Sequence, residues 1–101
     1  MVSNKRKVAI DREAKKSLRD AYVYIRKDSL QNADKVRGMI LTSIKKLIKN
    51  PEHHNPDKFR IGNDGSYRAY EIYKYRITYR ISSTEIRVIR IRHTKMNPVE
   101  Y

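Results

Sequence analysis

The sequence predicts an α+β fold, in which an N-terminal strand and an α-helical hairpin precede a three-stranded antiparallel meander and the helices pack on one face of the sheet. Three patterns predict it. Apolar residues recur at spacings of three and four from Ala14 to Ile25 and again from Ala33 to Ile48, as on helices with one buried stripe. From Tyr75 to Ile81 they alternate with polar residues, as on a half-buried strand. Residues 51–66, with Pro51, Pro56, Gly62, Gly65 and several Asn and Asp, read as a loop between the helical and strand regions.

Taken in order, Val8-Ala9-Ile10 is a short apolar stretch, and Asp11 after it is a good helix N-cap. The first helix carries Ala14, Leu18, Ala21, Tyr22 and Ile25 on one side and ends near Asp28. The second carries Ala33, Val36, Ile40, Ile44, Leu47 and Ile48 and stops at Asn50-Pro51, because the residue before a proline avoids the helical region. So short a link between them implies an antiparallel hairpin. Tyr67 to Tyr73, Tyr75 to Ile81 and Glu85 to Arg92 then read as three strands, joined at Lys74 and at Ser82-Ser83-Thr84. In the last of these, Ile86 and Val88 fall on one side and Ile89 and Ile91 on the other, so alternation alone leaves its buried side open. Amphipathic helices and a half-apolar sheet each need a cover, and laying one on the other leaves the second face of the sheet open.

With 101 residues the chain fits one domain, residues 1–101. Its 24 Lys and Arg against 11 Asp and Glu give a formal charge of +13, which calls for a polyanionic partner, nucleic acid or an acidic protein segment. The absence of cysteine excludes disulfides, thiolate catalysis and cysteine-based zinc sites, and is compatible with a reducing compartment. No apolar core long enough for a signal peptide follows the basic residues Met1 to Lys7, and no run approaches the roughly 20 residues of a membrane span. A cytoplasmic protein without membrane association is the expectation.

Only three glycines are present, and none has phosphate-loop spacing. His53, His54 and Asp57 lie close in sequence, but adjacent histidines on a loop face one ion poorly, so neither a metal nor a cofactor is expected. No serine has the surroundings of a nucleophile, and His93 has no evident paired acid. The region with most chemistry is 68–95, where eight Lys or Arg stand against Glu71 and Glu85. Arginine forks grip phosphate and tyrosines stack on bases, so Arg68, Arg80 and Arg92 are candidate RNA-binding residues. Tyr75 and Tyr79 share a face with Ile77 and Ile81, which makes them core residues by periodicity. Arg87, Arg90 and Arg92 equally fit a solvated strand surface.

The chain from Val8 to Tyr101 resembles the RelE/ParE superfamily of toxins from bacterial type II toxin–antitoxin systems. The resemblance rests on Ala14-Lys15-Lys16-Ser17-Leu18 with Tyr24-Ile25, on Ala33 to Leu47 followed by Asn50-Pro51, on Tyr75-Arg76-Ile77-Thr78-Tyr79-Arg80-Ile81, and on Ile91-Arg92-His93. It implies a cognate antitoxin that wraps the toxin in a hetero-oligomer, and one of two outputs. RelE-like members cut mRNA on the ribosome, whereas ParE-like members inhibit DNA gyrase without nuclease activity. Cleavage requires a group to deprotonate the 2′-hydroxyl, cations at the phosphorane and a donor for the leaving oxygen. By resemblance to the nuclease members, Arg76 would clamp the scissile phosphate and Lys95 would stabilise the transition state. Tyr101 or His93 would serve proton transfer or base stacking, and Arg68 would replace a basic residue of the preceding strand. Tyr70 and Glu71 stand where those members often carry lysines, and Thr94 interrupts their usual His-Arg pair.

Three readings follow. The first is a ribosome-dependent mRNA endoribonuclease, for which Arg76, Lys95 and Tyr101 should converge on one concave basic face. The second is a gyrase inhibitor, and the third is a non-toxic basic domain that only binds its partner.

Overall fold

The computed structural model describes residues 6–97 and 99–101. Strand β1 (Lys7–Ile10) leads into helices α1 (Arg12–Arg26) and α2 (Leu30–Lys46), and strands β2 (Tyr67–Ile72), β3 (Tyr75–Ile81) and β4 (Glu85–His93) follow. The sheet order is β1-β4-β3-β2. Both β2 and β4 run antiparallel to β3, whereas β1 lies parallel to β4, with Lys7 opposite Glu85 and Ile10 opposite Val88. Among the described residues no helix is long and apolar enough to cross a membrane.

Periodicity decides which side of each helix is buried. On α1, Ala14 and Leu18 are buried, and Ala21 and Ile25 pack against the core. On α2, Ala33, Val36, Ile40 and Ile44 are buried, followed by Leu47 at the helix end. Ile48, expected on the same stripe, is exposed, because the helix has ended and the chain has left its spiral. Ser29 caps α2, accepting the Asn32 amide at 3.0 Å. Asp11 sits at the start of α1 as expected, but its carboxylate makes no cap and instead meets Arg87 Nη1 at 3.1 Å. Tyr22 ties the two helices together, donating to Asp34 at 2.7 Å while the Arg37 guanidinium lies 4.6 Å over its ring.

The helices cover Ile77, Tyr79, Ile86, Val88 and Ile91, which together with Ile40 and Ile44 form the core. One irregularity resolves the ambiguity of the last strand. Thr78 pairs with Arg90 while Tyr79 pairs with Val88, so Ile89 is the extra residue of a β-bulge. The bulge shifts the alternation by one, and Ile86, Val88 and Ile91 are all buried.

Tyr75 and Tyr79 are buried, as periodicity predicts. The Tyr79 hydroxyl donates to the carbonyl of Pro51 at 2.5 Å, which fixes the start of the long loop against the core. Tyr70 stacks on His54 with centroids 4.2 Å apart and hydrogen-bonds Ser43 of α2, so the loop is held at a second point.

The far face of the sheet is not open, contrary to expectation. Residues 51–66 and the segment after β4 fold across it, leaving Ala69 and Thr78 only 8% and 3% exposed. Main-chain bonds hold this cover: Asp57 N–H to Tyr67, Ala69 N–H to Asn55, Ile61 N–H to Tyr101 and Tyr101 N–H to Phe59. A loop of polar composition becomes a covering layer because its amides find strand and tail carbonyls to replace water.

Two predictions follow from these contacts. Tyr79→Phe leaves the Pro51 carbonyl buried without its donor and should cost about 1–3 kcal/mol in chemical denaturation. Burial pushes the Tyr79 phenol up to about 12 from 10.0. Its contribution to stability is therefore complete below pH 10 and is lost as pH rises through about 12, a fall that Tyr79→Phe should reduce. The β2–β3 turn places Tyr73 and Lys74 at φ of 50° and 66°, the left-handed pair of a type I′ hairpin. Replacing them by Asn and Gly should stabilise the fold by about 1–2 kcal/mol in the same measurement, since side chains with a full Cβ are strained there.

Candidate functional site

Arg76 lies on the far face of β3, opposite Glu71 of β2 and Arg92 of β4. Two arginines directly across a ladder repel each other, so the site requires negative charge. Asp57 of the long loop supplies it. Its carboxylate is 3% exposed; Oδ1 accepts from Arg76 Nη2 at 2.8 Å and from the Phe59 amide at 3.1 Å, and Oδ2 accepts from the Tyr101 hydroxyl at 2.5 Å. The Phe59 ring lies under the Arg76 guanidinium at 4.9 Å, and Glu71 approaches its other side at 3.5 Å.

Local sequence positions Asp57. Arg68 donates to the carbonyls of Gly65, Glu52 and His54, drawing the two ends of the loop together. Asn63 donates to the carbonyls of Asp57 and Tyr67 and accepts from the amides of Gly65 and Tyr67. Gly65 meets this turn with φ of +95°, a backbone conformation that favours glycine.

These contacts set the acid–base character of the cluster. Burial pushes the Asp57 carboxyl up, but the bonds from Tyr101, Arg76 and the Phe59 amide outweigh it and hold the carboxyl below the usual range. Burial and the bond to Asp57 both push the Tyr101 phenol well above its ordinary value. At neutral pH the cluster is thus a carboxylate, a guanidinium and a neutral phenol whose proton points at the carboxylate. A carboxylate with every contact answered is a weak base, and a phenol so raised is a weak acid.

The residues expected to act together are only partly assembled. Arg76 and Tyr101 meet on Asp57, beside a cleft of about 220 Å³ that Thr78, Arg90 and Arg92 also line. Arg92 donates to the Asn97 carbonyl at 3.3 Å. His93 borders the cleft, but its ring stands edge-on to Tyr75 at 5.1 Å and its Nδ1 accepts the Lys95 amide. Lys95 lines a different groove, beside Asp20 and Tyr24 of α1. Arg80 is exposed near the Tyr67 ring, and the donors of Arg68 are turned into the loop.

Sequence reasoning missed Asp57 as the centre of this cluster, having weighed it only as a metal ligand beside His53 and His54. Among the described residues no three His, Cys, Asp or Glu side chains gather as a metal site. It also missed Phe59 under Arg76, and Arg90, whose guanidinium lies 4.5 Å over the Tyr101 ring. A hydrophobic residue two places after an aspartate in a polar loop is the one local signal, because the Asp57 side chain accepts the Phe59 amide in an Asx turn.

The family described as "ParE toxin of type II toxin-antitoxin system, parDE" matches residues 8–98. No curated protein matches the chain. Among solved structures it is similar to a chain from the "Chromosomal ParDE TA system from P. aeruginosa", with a TM-score of 0.74 and 20% identity, covering 92% of this chain and 100% of that one. That likeness speaks to the fold: the same two helices over one face of a sheet. With the family match running from within β1 to beyond β4, this chain belongs to the ParE toxin family of type II toxin–antitoxin systems.

Proposed function

We propose that this toxin arrests growth by binding and inhibiting DNA gyrase, and that it does not cut mRNA. One observation carries the reading: the arginine and the tyrosine that a nuclease would use are both bound to the Asp57 carboxylate. An arginine paired with a buried carboxylate has little field left for a phosphorane, and a phenol donating to that carboxylate has no proton ready for a leaving oxygen. Lys95 lines the α1-side groove, and His93, at the border of the cleft, has its ring against Tyr75 and its Nδ1 taken by the Lys95 amide. The ParE family match supports the same branch. Membership also implies a cognate antitoxin, and a formal charge of +13 suits an acidic one.

Inducing the chain alone in a bacterial host should arrest growth with a DNA-damage response, and mapped mRNA 5′ ends should match those of uninduced cells. Purified chain should inhibit supercoiling by gyrase. New 5′ ends inside translated codons that vanish when translation is blocked would overturn the reading in favour of ribosome-dependent cleavage.

Tyr101→Phe sharpens the distinction, since it keeps the ring and removes only the bond to Asp57. A gyrase inhibitor should keep its growth arrest. A nuclease relying on this hydroxyl should lose about a hundredfold or more in cleavage rate, the scale of one transition-state donor.

A further inference from the structure

The segment after β4 lies over the cationic face on ties of unequal strength: Tyr101 exchanges main-chain bonds with Ile61 and Phe59 and donates to Asp57, whereas the residues before it are held by longer arginine–carbonyl bonds. Arg90 Nη1 donates to the Val99 carbonyl at 3.2 Å and Arg92 Nη2 to the Asn97 carbonyl at 3.3 Å. The Tyr101 ring lies between the guanidiniums of Arg90 and Arg60, at 4.5 and 5.2 Å. Apart from Tyr101, which is half-buried, the described residues of this strap are exposed, Met96 and Val99 at 53% and 47% and Asn97 and Glu100 with them. A segment tied by surface-accessible polar bonds opens far more readily than the core beneath it.

What the strap covers is electrostatically unfinished. Arg76 stands opposite Arg92 in the ladder, and Arg90 is opposite Thr78, so three guanidiniums border one cleft. Arg76 is neutralised by Asp57. Among the described residues, Arg90 and Arg92 meet no carboxylate within 4.0 Å; their hydrogen bonds go to the neutral carbonyls of the strap. The other cross-strand arginine pair, Arg80 with Arg87, differs: Arg87 is held by Glu85 at 2.6 Å and Asp11 at 3.1 Å.

We infer that Arg90 and Arg92 of β4, with Thr78 of β3 opposite Arg90, form a half-covered site for a phosphoryl group, gated by the strap of Asn97 and residues 99–101. A planar carboxylate is satisfied by one arginine fork, whereas a tetrahedral phosphoryl group has oxygens for two forks side by side on one strand, as Arg90 and Arg92 stand on β4. Charge-assisted bonds to an oxyanion are stronger than those to a carbonyl, so such a ligand competes directly with Val99 and Asn97. In the closed form the site is only fractionally available, which weakens apparent affinity by that fraction. This inference is independent of the gyrase reading, because the test uses neither gyrase nor cells.

The probe is inorganic pyrophosphate, titrated calorimetrically into the purified full chain, with acetate as the carboxylate comparison. Tyr101→Ala removes the strap's side-chain anchors, the bond to Asp57 and the ring beside Arg60 and Arg90, and should tighten pyrophosphate binding about tenfold; Tyr101→Phe, which keeps the ring, should tighten it about threefold. Adding Arg90→Ala and Arg92→Ala to Tyr101→Ala should weaken binding by at least about tenfold from the opened level. Amide exchange at Ile61 and Tyr101 of the wild-type chain should accelerate as pyrophosphate saturates it. The inference fails if neither Tyr101 variant binds more tightly than wild type, if the double arginine replacement keeps the affinity, if acetate binds as well as pyrophosphate, or if pyrophosphate binds without faster exchange at those amides. Should Tyr101→Ala not fold, Tyr101→Phe and the wild-type exchange experiment decide the matter alone.

Discussion

The buried carboxylate of Asp57 is the constraint on which the far side of this molecule depends. One side chain joins three segments distant in sequence: the loop that carries it, Arg76 in the middle of the sheet, and Tyr101 beyond the last strand. A carboxylate taken out of water must be fully hydrogen-bonded or become protonated, so the loop docks only when arginine, phenol and amide are all in place. Once they are, a sheet that would otherwise have one wet face becomes a three-layer structure of helices, sheet and cover. The same contacts that close the cover remove Arg76 and Tyr101 from acid–base work, so architecture and the proposed absence of cleavage have one cause.

Charge placement follows from the same need. The sheet sets Arg76 against Arg92 and Arg80 against Arg87, two repulsive pairs on the same two strands. Carboxylates answer them unequally. Asp11 and Glu85 converge on Arg87, and Asp57 and Glu71 on Arg76, while among the described residues Arg92 meets the Asn97 carbonyl and no carboxylate. With a net charge of +13 on a small domain, self-repulsion opposes folding, and an acidic partner relieves it by association. The cationic excess therefore bears on stability as well as on recognition.

Much of the helix-side architecture was legible in the sequence because its signals are local. The stripes of Ala14 to Ile25 and Ala33 to Leu47 and the alternation of Tyr75 to Ile81 each express one period and one buried face. The bulge at Ile89 was not legible: four apolar residues fit either side of a strand until the partner strand chooses the register. Nor was the covering role of residues 51–66, since a polar loop docked on a sheet has the composition of one in water. The site was read in part. Arg76 and Tyr101 were singled out by resemblance, but Asp57, 19 residues from one and 44 from the other, is joined to them only by tertiary folding.

The parallel pairing of β1 with β4 has a consequence for synthesis. Residues 7–10 find their partners only at 85–88, so the first strand to leave the ribosome waits for almost the last. Until then the hairpin of α1 and α2 has only part of the sheet to cover, and the ladder that unites the two ends of the chain is missing. Non-local pairing of this kind makes folding late and concerted rather than progressive along the chain. A nascent or interrupted polypeptide ending before β4 lacks the strand that both β1 and β3 require, so the folded toxin comes into being only once β4 has emerged.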